Sequence, residues 1–186
     1  MKHSYIIITA LEGELNRSRI PAGIPIIYTG IGKINATIAT LKAIQEFKPQ
    51  RIINFGTVGK INSELHGLLR INKVIQRDMQ TEPLAPRGRT PFCTKPSEYF
   101  SEGGIHTCGT GDSFVTSQDD WLIQQNVDVV DMELFAIAAV ANEHHIPWIS
   151  FKYITDDANE DSGNDWQEKI NAGETLFLEQ LKLLLT

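Results

Sequence analysis

The hydrophobic positions of this chain alternate between two periods. Tyr5-Ile6-Ile7-Ile8-Thr9 is β-branched and apolar without a break, which predicts a parallel strand covered on both faces. A second short strand is expected over 24–28, leading into Thr29-Gly30-Ile31-Gly32-Lys33. Ile34, Ile38, Leu41, Ile44 and Phe47 then recur at helical spacing with Pro49 just beyond, predicting an amphipathic helix over 33–47. With a strand over 51–55 after it, this first part follows βαβ logic.

The middle is less regular. A strand is expected over 68–75, whereas 80–96 holds Pro83, Pro86, Gly88, Pro91 and Pro96 and reads as a long loop, of the kind that is functional or packed against a partner. Regularity returns with Ser117 as the expected cap of a helix over 118–125 and a strand over 127–130. A helix over 132–145 offers Phe135, Ala139 and Val140 to the core, and a strand runs over 148–155. A last helix over 165–184 places Trp166, Ile170, Phe177, Leu181 and Leu184 near one face. The expected fold is a single α/β domain, 1–186, with a central mixed, mostly parallel twisted sheet flanked by helices.

Composition narrows the function. The 186 residues, 41% hydrophobic and 22% charged, supply one good core. The formal charge of −6 argues against nucleic acid and anionic membranes as partners, because both require clustered Lys and Arg. Ahead of the first apolar run stand only Lys2 and His3, and the run is too short for a membrane span and lacks a signal-peptide cleavage pattern. Cys93 and Cys108 have no metal-type spacing, so the cytosol is the expected compartment.

Ligands of open α/β sheets gather at the carboxyl ends of strands. Those ends carry Leu11-Glu12-Gly13-Glu14, Gly56-Thr57-Val58-Gly59, Asp131-Met132-Glu133 and Thr155-Asp156-Asp157, and a further segment runs from Cys108 to Val115. Singly, each has an ordinary structural reading. Glu12, Glu14 and Glu133 suit the first turn of a helix, the two aspartates suit a loop cap, and Gly30-Ile31-Gly32 lacks the third glycine of a dinucleotide fingerprint and suits a turn.

Taken in order, Ala10-x3-Glu14, Gly30-Ile31-Gly32-Lys33-x-Asn35-Ala36, Asn54-x-Gly56-Thr57-x-Gly59, Thr110-Gly111-Asp112-Ser113-Phe114, Asp131-Met132-Glu133 and Thr155-Asp156 resemble the purine nucleoside phosphorylase and nucleosidase superfamily. Within it the likeness is to the 5′-methylthioadenosine/S-adenosylhomocysteine nucleosidases, over about residues 6–180. The resemblance implies hydrolysis of a purine N-glycosidic bond, with Glu14 activating water and Asp156 protonating the base at N7. It implies that Glu133 grips the ribose hydroxyls, Met132 lies under the sugar, Phe114 stacks on the base and the Val115 backbone reads its edge. Thr57 and Gly59 line the water and sugar side, Trp166 and Leu11 wall the 5′ substituent, and Asp112 is expected at the base edge, with the cap of a turn as its alternative. Phe55, Val58, Lys60 and Asp157 depart from the commonest nucleosidase pattern.

The chemistry is consistent with three carboxyls. Cleavage builds oxocarbenium-like charge on the ribose while the base leaves with negative charge, so one carboxyl protonates the base, one orients and deprotonates water, and one accepts from the 2′ and 3′ hydroxyls. No metal or organic cofactor is required. A phosphorylase would need arginines beside the sugar, yet the matching segment is Glu12-Gly13-Glu14, with Arg17 and Arg19 nearby. Phosphorolysis is the alternative, and a non-catalytic nucleotide-binding domain a second one. A homodimer is expected, because Leu84, Pro91 and Phe92 would otherwise expose apolar area.

Overall fold

A computed structural model describes residues 4–160 and 162–185; residues 1–3, with the expectation about Lys2 and His3, lie outside the described part. The order is β1 (Tyr5–Thr9), β2 (Ile26–Tyr28), α1 (Lys33–Phe47), β3 (Arg51–Lys60), β4 (Leu68–Gln76), β5 (Glu98–Phe100), β6 (His106–Thr110), α2 (Asp120–Gln124), β7 (Val129–Asp131), α3 (Leu134–Glu143), β8 (Trp148–Asp156), α4 (Ser162–Lys169) and α5 (Glu174–Leu185). Among the described residues no helix is long and apolar enough to cross a membrane.

Parallel pairings join β2 to β1, β1 to β3, β3 to β8, β4 to β6 and β6 to β7. Antiparallel pairings join β3 to β7, β4 to β5 and β4 to β8. The strands β3, β7, β6, β4 and β8 therefore close into a ring, where strand-by-strand patterning suggested an open sheet. Long strands that change neighbours make this closure. β3 pairs with β1 through its first residues and with β7 through Gly59 and Lys60, and its register shifts between Val58 and Gly59. Such irregularities bend strands at barrel rims.

The uninterrupted apolar run of β1 is explained by its two covered faces. Ile6 and Ile8 pack with α1 and α3, while Ile7 faces the cluster of Phe55, Phe151, Phe177 and Leu181 under α5. Phe55, one of the departures noted above, stacks on Phe177 at 4.5 Å between ring centroids.

Several expectations are corrected. Gly56 to Gly59 is not a loop after the strand but part of β3, and the short β5 and the strand β6, which carries Cys108, were not anticipated. The cap of α2 is Asp119, whose carboxylate accepts from the Trp121 N–H at 3.1 Å, rather than Ser117. The last helix is two, broken ahead of Gly173, where a Cβ would stand 2.4 Å from Tyr153 side-chain atoms. α1 has the expected bounds but is turned partly away from the expected face: Ile44 is buried and Phe47 packs on the core as expected, Ala36, Thr40 and Ala43, small residues that let it approach α3, are buried beside them, and Ile34 and Ile38 are 74% and 49% exposed.

Candidate active site

The turn after β1, the second half of β3, the ends of β7 and β8 and the loop after β6 meet at one rim of the ring. There they enclose a hollow that opens to solvent. Glu14, Asp156, Glu133 and Met132 line it together with Thr57 and Gly59. Phe114, Val115 and Trp166 complete the group of expected residues on its wall. Glu14 and Trp166, 152 residues apart in sequence, thus converge on one space.

Glu14 is 3% exposed and accepts five hydrogen bonds. Its Oε2 takes the Thr9 hydroxyl at 2.9 Å and the N–H groups of Ala10 and Leu11 at 3.0 and 3.1 Å. Its Oε1 takes the Thr57 N–H at 2.9 Å and the Thr57 hydroxyl at 2.7 Å. That is the hydrogen-bonding pattern of a carboxylate. Asp156 accepts from the Thr155 hydroxyl and the Ala158 N–H, both at 3.0 Å. Gly59 is required beside it, since a Cβ there would lie 2.6 Å from Asp156 Oδ1.

Glu133 sits at the N-cap position of α3 without capping it. Asp131 takes that part, accepting from the Leu134 N–H at 2.9 Å and from the Thr110 hydroxyl at 2.5 Å. Glu133 instead reaches the Gly32 N–H at 2.9 Å, in the turn before α1. Burial, reinforced by the neighbouring Asp131 charge, pushes the Glu133 carboxyl from 4.5 up to about 8, against the pull of Lys152 and the Gly32 N–H.

Lys152 was not singled out from the sequence. It is buried under the site and donates to Asp131 at 2.7 Å. Burial is the largest influence and opposes both charges, but it is outweighed at Asp131 by Lys152 together with the Thr110 hydroxyl and the Leu134 N–H, and at Lys152 by Asp131 together with Cys108 and Glu133, so Asp131 is held below the usual carboxylate range and Lys152 above the usual amine. A lysine within the apolar run of β8 was the available signal, because such a charge is retained only with a partner. Arg77 was also missed. It lines the hollow and is buried, its guanidinium donating to the Gly111 carbonyl at 3.0 Å and to the hydroxyl and carbonyl of Ser113. Burial lowers its pKa. Gly111 admits this approach, since a Cβ would meet Arg77 Cζ at 2.9 Å.

Two expected residues lie elsewhere. Asp112 is outside the lining and its carboxylate accepts from the Lys33 N–H at 2.7 Å, at the start of α1. Leu11 is also outside the lining; its contribution is the N–H given to Glu14. The departures Lys60 and Asp157 pair with each other at 3.0 Å.

A single rim that gathers these carboxyls, an aromatic wall and glycine-permitted close approaches defines a nucleoside-type site on an α/β ring. The chain belongs to the phosphorylase superfamily, whose family model matches residues 21–186. It is similar to the 5′-methylthioadenosine/S-adenosylhomocysteine nucleosidase of Staphylococcus haemolyticus, 28% identical over 172 residues covering 80% of this chain and 73% of the relative. The enzyme of that name from Staphylococcus epidermidis is 27% identical over 195 residues, covering 93% and 84%. In fold, the chain is similar to the Helicobacter pylori nucleosidase crystallised with 5′-methylthioadenosine, with a TM-score of 0.87 at 20% identity over 100% of this chain and 99% of that one. Helicobacter pylori futalosine hydrolase superposes with a TM-score of 0.86 at 20% identity, covering 97% and 96%.

Proposed function

We propose that this protein hydrolyses the N-glycosidic bond of a purine nucleoside, with 5′-methylthioadenosine and S-adenosylhomocysteine as the first substrates to try. The observation that carries the reading is the convergence of Glu14, Glu133 and Asp156 on one hollow with Phe114 on its wall. Glu14 holds and deprotonates the water, Asp156 delivers the proton to the leaving base, and Glu133 engages the ribose hydroxyls above Met132. These roles supply what an oxocarbenium-like transition state lacks: a nucleophile on one side and neutralisation of the base on the other. Phe114 contributes about 1–3 kcal/mol of stacking, by analogy with the base contacts of nucleic-acid binders. The staphylococcal relatives support the choice of 5′-thio nucleosides.

Water is favoured over phosphate by where the arginines are. Arg17 donates to the Ile24 carbonyl, and Arg19 pairs with Glu174 at 2.5 Å. Arg77, the arginine on the wall, gives its terminal nitrogens to Gly111 and Ser113. A dianion beside the sugar calls for a bidentate guanidinium, and none of these offers one. Adenine release from 5′-methylthioadenosine, followed with and without inorganic phosphate, tests the reading. Equal rates and a free sugar are expected, whereas phosphate-dependent formation of a sugar 1-phosphate would overturn it.

The working form is a homodimer in the cytosol. Ile34 and Ile38 of α1 and Leu84 and Phe92 of the long loop are exposed, and Ile31, next to α1, is shared between the exposed apolar surface and the hollow. An exposed apolar surface of this kind marks a contact between proteins. Cys93 and Cys108 are unpaired, which suits a reducing compartment. Sedimentation is expected to give twice the chain mass, and a fully active monomer would contradict it.

A further inference from the structure

Trp166 on α4 does more than wall the hollow. Its indole Nε1–H donates to Thr57 Oγ1 at 2.8 Å, and Thr57 Oγ1 donates in turn to Glu14 Oε1 at 2.7 Å. An indole nitrogen is a donor only, so Thr57 Oγ1 must accept from it. The Thr57 hydroxyl proton is then left with Glu14 as its acceptor. The residue that follows α4 by one position adds a second contact to the same turn: Ile170 packs over Gly13, where a Cβ would already lie 3.3 Å from Ile170 Cδ1. One short segment thus touches the Glu14 turn from two sides, through a hydrogen bond relay and through packing.

We propose that Trp166 is a positioning residue that acts on Glu14 through Thr57, fixing the direction of the Thr57 hydroxyl and with it the orientation of the Glu14 carboxylate. This rests on the hydrolytic reading above. The physical basis is that four of the five donors to Glu14 are tied to the backbone or to β1, and the Thr57 hydroxyl is the donor whose rotor a separate element controls. Orientation of a general base matters steeply for rate and little for ground-state binding. α4 thereby couples its own docking to the competence of the water-activating group.

The test is a double-mutant cycle on the full chain with 5′-methylthioadenosine as probe. Trp166→Phe keeps an aromatic wall and removes the N–H; it is expected to lower kcat about tenfold while KM stays within about threefold. Thr57→Val removes the hydroxyl, and Thr57→Ala supplies the same corner of the cycle if the valine variant does not fold. In either hydroxyl-free background Trp166→Phe is expected to cost less than about twofold, the signature of two residues acting in one chain of contacts. A tenfold cost that persists without the hydroxyl, or a change confined to KM, would show that Trp166 is only a wall and overturn the proposal. Absence of any hydrolysis by the unmutated protein would instead overturn the proposed function.

Discussion

Two buried glutamates share one hollow and live in opposite surroundings. Glu14, 3% exposed, is surrounded by five donors, whereas Glu133, 8% exposed, accepts from the Gly32 N–H and sits near Asp131. Burial is almost the same at the two places, so burial alone does not set the character of a carboxyl; the supply of donors and neighbouring charge does. Glu14 is built to remain an acceptor, as a water-activating base must. Glu133 is built to hold a proton near neutral pH.

Substitutions should separate the two. Glu14→Gln places an amide with its own N–H groups among five donors and removes the base, so turnover is expected to fall about 10³-fold, within the usual range for such groups; a loss below about tenfold in steady-state kinetics would erase the distinction. Asp156→Asn is expected to lower kcat by about 10²-fold with binding largely intact, because the amide cannot deliver a proton to the base. Near-normal turnover in that variant would remove Asp156 from its role.

The effects at Glu133 are smaller and depend on pH. If its ionised form accepts the ribose hydroxyls, KM should fall as pH rises through the region of 8, by about tenfold for each pKa unit that binding shifts. Glu133→Gln should flatten that profile, and an unchanged profile would contradict it. Stability should move the other way. A carboxyl raised from 4.5 to about 8 on folding contributes stability that is fully present below 4.5 and lost as pH rises through 8. Glu133→Gln should therefore raise Tm relative to the unmutated protein more at pH 9 than at pH 6, by about 5–10 °C in a thermal melt; equal shifts at both pH values would show that Glu133 carries no such penalty.

The sequence made the strands and the acids legible for different reasons. The run from Tyr5 to Thr9 and the bounds of α1 could be read because local pattern and burial agree there. The burial direction of α1 could not, because Ala36, Thr40 and Ala43 bury through close helix approach while the larger Ile34 and Ile38 face outward. Ring closure escaped because it depends on β3 and β4 changing partners along their length, which leaves no periodic trace. At the site, Glu14, Glu133 and Asp156 were visible as acids at strand ends. Lys152 and Arg77 were not, since each serves a partner distant in sequence: Asp131 for the lysine, Gly111 and Ser113 for the arginine. The motif around Asp112 fixes the chain's path but not which side its carboxylate takes, and the Lys33 N–H claims it.

The most direct measurement follows the nucleophile itself. Turnover of 5′-methylthioadenosine in water enriched in heavy oxygen, in buffer containing phosphate, should place one solvent oxygen on the anomeric carbon of the released sugar, at a rate abolished by Glu14→Gln. A sugar product free of solvent oxygen and carrying phosphate at that carbon would contradict the account.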